Sequence, residues 1–121
     1  MEKAKSILLI EEDPIIAHHL VCCLESSPHS IYAVHDSIFE AIVSIEKGQS
    51  TPDILMLSVT GRKQEKQLKD INIFLFLYPV KLIIMSSAQD FEWMALNTDL
   101  SSFILLKPFS EVQFFNALAK A

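Results

Sequence analysis

The chain has 121 residues, half of them hydrophobic, a formal net charge of −5 and a mean hydropathy of +0.32. That length suits one domain spanning 1–121 and is too short for two. The acidity argues against a nucleic-acid surface, and no apolar run is long enough to span a membrane. Met1-Glu2-Lys3-Ala4-Lys5 leads into only five uncharged residues before Glu11. This is too short for a secretory signal, so the expected compartment is the cytoplasm.

Ser6 to Ile10 reads as a first buried strand. Pro14 opens a helix at a position that tolerates proline. Ile16, Leu20 and Leu24 (or Cys23) recur at helical spacing and are expected to face a sheet. The helix stops before Ser26-Ser27-Pro28. Ile31 to Val34 is a second strand, with Ile31 and Ala33 on one face and Tyr32 and Val34 on the other. Ser37 and Glu40 form a capping box for a second helix, which Ala41, Ile42 and Ile45 line and Gly48 ends. Asp53 to Leu57 is the third strand, and Gly61 suits the tight loop after it.

A third helix is expected from about Gln64 to Phe76. Its β-branched and aromatic residues would favour a strand, but a right-handed crossover between parallel strands requires a helix there. It is apolar nearly all round, so one side is a candidate contact surface. Val80 or Lys81 to Met85 is the fourth strand. Asp90 to Leu96 is a short helix carrying Phe91, Trp93 and Met94, and Phe103 to Leu106 is the fifth strand. Ser110 and Gln113 cap a last helix containing Val112, Phe114, Phe115 and Leu118. The alternation predicts an α/β fold: a flavodoxin-like, doubly wound (βα)5 parallel sheet with helices on both faces and strand order 2-1-3-4-5.

Two side features carry less. Arg62, Lys63, Lys66 and Lys69 form the densest basic stretch, broken by Glu65 and Asp70. A solvated helix face is the better reading, a docking patch the sharper one. Cys22 and Cys23 are neighbours on a helix, so a bridge between them is implausible. His18 with Cys22, and His19 with Cys23, have metal-ligand spacing. Each face offers two ligands where structural zinc wants four, so ordinary histidines and small core cysteines are expected.

The strand ends carry the chemistry. The first delivers Glu11-Glu12-Asp13, the third Ser58, the fourth Ser86-Ser87 and the fifth Lys107-Pro108. In an open α/β sheet, function gathers at the carboxyl ends of the central strands. An acidic pair, a central acceptor position, a hydroxyl and Lys-Pro, in that order over essentially the whole chain, resemble the receiver domain of response regulators in two-component signalling. The resemblance implies that Glu11 and Glu12 match the acidic pair that helps hold magnesium. It matches Ser58 to the phosphoacceptor aspartate and Thr60 to the residue whose carbonyl completes the metal site. Ser87 matches the switch hydroxyl, and Lys107 the phosphate-pairing lysine, often followed by a cis proline. The switch aromatic falls on Ile104, with Phe103 one position off.

The departures from that pattern decide the functional expectation. Serine is a weak nucleophile without a base, and it lacks the carboxylate that both chemistry and magnesium use. Magnesium binding is therefore expected to be lost or weak, no cofactor is implied and no catalysis is expected. The expected function is a phosphorylation-independent receiver acting as a protein-interaction module. Its partner would be a histidine kinase, an output domain or a second copy, with weak self-association or partner docking through a face carrying Phe91, Trp93 and Phe115. The alternatives are a relay that accepts phosphate on another residue, such as Glu12, or the N-terminal receiver of a longer DNA-binding regulator. An enzyme binding a nucleotide or flavin is disfavoured by the lack of a glycine-rich loop. Lys107 is expected to pair with Glu12 or Glu11, with Ser58 at most a hydrogen-bond neighbour.

Overall fold

The computed structural model describes residues 4–48, 50–59, 64–87, 89 and 103–121. In chain order they form β1 (Ser6–Ile10), α1 (Pro14–Glu25), β2 (Ser30–His35), α2 (Ile38–Lys47), β3 (Ile54–Ser58), α3 (Gln64–Leu77), β4 (Lys81–Ser86), β5 (Phe103–Leu106) and α4 (Glu111–Lys120). The strands make one five-stranded sheet in the order β2-β1-β3-β4-β5, and every pairing is parallel. The expected helix over Asp90 to Leu96, with Phe91 and Trp93, lies outside the described residues, as do Thr60 and Gly61.

Two-residue alternation along the strands sorts the core into two layers. Ile7, Leu9, Ile54, Met56, Ile83, Met85 and Leu105 pack under Leu20 and Leu24 of α1 and Phe114 and Leu118 of α4. Leu8, Ile10, Leu55, Leu57, Leu82 and Ile84 pack under Ile38, Ala41 and Ile45 of α2 and Ile71 and Phe74 of α3. All five residues of β3 are buried, as a central parallel strand covered on both faces requires.

Asp13 caps α1, its carboxylate accepting the Ile15 and Ile16 N–H groups, with Pro14 in the first turn. Ala17, Leu20, Cys23 and Leu24 form the buried stripe. Ile16 is 39% exposed and sits on the stripe's margin rather than within it. The expected alternation in β2 also fails at one point. Ile7 pairs with Ile31 and Leu8 with Ala33, so Tyr32 is an extra residue in a bulge. Tyr32 and Ala33 therefore pack on the same side of the sheet. The Ser37 hydroxyl accepts the Glu40 N–H as expected. The Glu40 carboxylate turns to Asp36 and lies 3.9 Å from His35 Nδ1.

Gly48 ends α2 with a φ of −87°, so its role is room rather than left-handed geometry. A Cβ there would stand 3.1 Å from the Tyr32 hydroxyl. At α4 both halves of the Ser110–Gln113 capping box form. The Lys5 ammonium binds the Leu118 and Ala121 carbonyls at 2.7 Å each, tying the end of that helix to the start of β1. Phe115 is partly buried and meets Phe114 edge-on at 5.3 Å, so only part of its ring is open to a partner. Val112 is 68% exposed. Among the described residues, no helix is long and apolar enough to cross a membrane.

Candidate functional site

Alternation also decides which strand-end side chains meet. Glu11 continues the series Ile7 and Leu9, Ser58 continues Ile54 and Met56, and Lys107 follows Leu105 at the same spacing, all on the α1–α4 side. The backbone carries the sheet pairing on to these ends: Glu11 N–H bonds to the His35 carbonyl at 3.0 Å, and Lys107 N–H to Ser86 at 2.8 Å. The Lys107–Pro108 peptide bond is cis.

Lys107 Nζ donates to Ser58 Oγ at 2.5 Å and lies 3.9 Å from Glu11 Oε1. The expected ion pair forms with Glu11 rather than Glu12, and the hydrogen bond to Ser58 is the shorter of the two contacts. Ser58 is the direct partner, and Glu11 supplies a counter-charge beyond hydrogen-bond length. Glu12 is exposed and Glu11 is 6% exposed, so the two members of the acidic pair have separate fates. Glu11 Oε2 accepts the Asp13 N–H at 3.2 Å, while Oε1 is buried without a hydrogen bond. A desolvated carboxylate needs positive charge nearby, which Lys107 provides.

Around this triad the remaining candidates are placed unevenly. Ser86 is fully buried, and its hydroxyl bonds to the Ser87 carbonyl at 3.1 Å. Ser87, one residue beyond β4, is half-buried. Ile104 is part-buried against the α2–α3 layer, on the other face of the sheet from Lys107. Gln67, which sequence reasoning did not single out, donates from its amide to the Ser58 carbonyl at 3.0 Å and pins the first turns of α3 over the end of β3. A glutamine one turn into a helix carries no distinguishing pattern, so nothing in the sequence marks it.

The donor set fits magnesium poorly. Ser58 offers a neutral oxygen already taken by an ammonium, and one Glu11 oxygen is taken by backbone. Elsewhere, His18 lies 3.6 Å from Cys22 and His19 3.8 Å from Cys23, and Cys23 also faces Glu111. Among the described residues, no group of three or more His, Cys, Asp or Glu is placed to hold a metal ion. In the basic stretch, Lys66 pairs with Asp70 one turn on at 2.8 Å, as a solvated helix face does. Arg62 and Lys63 lie outside the described residues.

No protein-family model and no curated protein matches the sequence. Solved structures do match. The receiver domain of the Erythrobacter litoralis response regulator PhyR is similar with a TM-score of 0.78 at 16% identity, covering 97% of this chain and 88% of that one. A response regulator receiver protein from Sinorhizobium medicae gives 0.74 at 22% identity, covering 98% and 94%. The anti-anti-sigma factor PhyR of Bartonella quintana gives 0.81 at 17% identity, covering 99% of this chain and 48% of that one. The chain thus spans about half the length of the full PhyR structures and nearly all of isolated receiver domains. At these identities the likeness shows the fold: a flavodoxin-like receiver architecture.

Proposed function

We propose that this chain is a phosphorylation-independent receiver module that acts by binding another protein in a two-component signalling system, without catalysis of its own. The observation that carries the reading is the Lys107–Ser58 hydrogen bond at 2.5 Å. The lysine that would pair with a phosphoryl group is already held by the side chain that stands where the acceptor carboxylate would be. A protein partner fits the company the fold keeps, since one of its structural neighbours is described as an anti-anti-sigma factor. That partner would be a histidine kinase, an output domain or a second copy.

A phosphate relay through another acceptor is the second reading, because Glu12 is exposed at the end of β1. Incubation with acetyl phosphate and magnesium, read by intact mass, separates the two. The expected result is an unchanged mass. A phosphoryl adduct that disappears in Glu12→Gln would replace the first reading with the second.

A further inference from the structure

One ridge of α1 is turned away from the sheet. Ala17, Leu20, Cys23 and Leu24 form the buried stripe, and Ile15, His18, Cys22 and Glu25 recur at helical spacing on the opposite side, all exposed. On that ridge His18 Nε2 lies 3.6 Å from Cys22 Sγ. Zinc–sulfur and zinc–imidazole bonds of ordinary length, set at the tetrahedral angle, hold sulfur and nitrogen about 3.5–3.6 Å apart. The pair therefore already spans one edge of a zinc tetrahedron, with both side chains open to solvent. The neighbouring pair is less suited: His19 lies 3.8 Å from Cys23, which is buried and donates to Glu111. His18 also borders a hollow lined by Glu11, Glu12, His35, Asp36 and Glu40, an acidic neighbourhood that attracts cations. None of these completes a set of three ligands with His18 and Cys22 among the described residues.

We propose that His18 and Cys22 are one half of a zinc site, completed by the same pair from a second copy of this chain across a two-fold axis. One copy supplies a nitrogen and a sulfur, and structural zinc takes four such ligands. Two identical edges set opposite each other close the tetrahedron, and a two-fold interface repeats one surface patch on both copies. Each Cys22 binds as thiolate and gives its proton to solvent, while each His18 binds neutral through Nε2. Two thiolates balance the charge of the ion, so the centre is neutral and adds nothing to the repulsion between two acidic chains. Thiolate and imidazole suit zinc and not magnesium or calcium, which take oxygen ligands. The ridge runs along the outside of α1, so a second helix can cross it without displacing the sheet. The inference holds whether or not the chain accepts phosphate.

Sedimentation of the whole chain under reducing conditions, with zinc chloride, magnesium chloride or a chelator, tests it. Zinc should convert monomer to dimer, half-complete at about 10 μM free metal or below, and magnesium should not. Cobalt(II) used as an optical probe should give thiolate charge-transfer and tetrahedral d–d absorption that levels off at one metal per two chains. Cys22→Ser and His18→Ala lie at exposed positions and should leave the fold intact, and each should abolish both the dimer and the cobalt spectrum. His19→Gln, on the neighbouring pair, should change neither. Absence of a zinc-dependent dimer up to about 100 μM metal would overturn the proposal. So would a dimer equally formed in chelator, a plateau at one metal per chain, or a zinc-induced dimer that survives Cys22→Ser or His18→Ala.

Discussion

Lys107 serves two neighbours, and they differ in what they lose without it. Ser58 would lose a hydrogen-bond donor, but a hydroxyl can turn elsewhere. Glu11, whose side chain is 4% exposed, would keep a desolvated charge with no opposite charge beside it. Lys107→Met should therefore cost about 1–2 kcal/mol in urea melts, more than Ser58→Ala. Adding Glu11→Gln should recover part of that loss, which a double-mutant cycle reads directly. Glu12→Gln, at an exposed position, should stay within about 0.5 kcal/mol of the parent, and a large loss there would mean that Glu12 is the counter-charge. The two cysteines diverge for a related reason. Burial first, and the Glu111 carboxylate second, push the Cys23 thiol above its ordinary 9.0, while Cys22 is exposed. Thiolate is the reactive form. Labelling at pH 8 should thus show one fast thiol, removed by Cys22→Ser, and a second that reacts only on unfolding.

At the scale of elements, α3 shows how tertiary context overrides local preference. Ile71 and Phe74 face the sheet, while Ile73 and Phe76 lie on the outer surface, Phe76 at 89% exposure. The helix forms despite its β-branched and aromatic residues because a parallel crossover from β3 to β4 needs one. Its end is tied to α2 by Tyr78, which packs on Phe74 at 5.1 Å and donates its hydroxyl to the Glu46 carboxylate. Burial and that carboxylate push the Tyr78 phenol up to about 12 from 10.0. The folded state then holds a proton that the unfolded chain releases, so stability is complete below pH 10 and declines as pH rises towards 12. Tyr78→Phe should flatten that alkaline slope in melts run across this window. An unchanged slope would show that the Tyr78–Glu46 contact does not hold in solution.

For the molecule as a whole, the sheet brings one buried carboxylate, one hydroxyl and one ammonium to a single point, and that balance leaves little demand for a divalent cation. Millimolar magnesium should leave the melting temperature unchanged. A ligand present at a hundred times its Kd would add about 2.7 kcal/mol, a shift of several degrees. A clear rise that Glu12→Gln removes would show a working metal site.

Much of this was open to reading from the residues in order, because strand alternation and helix periodicity are local and repetitive. Buried runs such as Ile54-Leu55-Met56-Leu57, the capping box at Ser110 and the order of strand-end residues led to the sheet order and to the positions of Glu11, Ser58 and Lys107. Local pattern was silent wherever one inserted residue or one long side chain made the decision. The bulge at Tyr32 moves a ring across the sheet, and no turn residue announces it. The margin position of Ile16 depends on how α1 rolls against α4. The choice of Glu11 over Glu12 as the counter-charge of Lys107, and the closer approach of Ser58, depend on distances of an ångström between strands that are not neighbours in sequence. Such distances arise only when the whole sheet is assembled, so tertiary structure alone determines which charges meet.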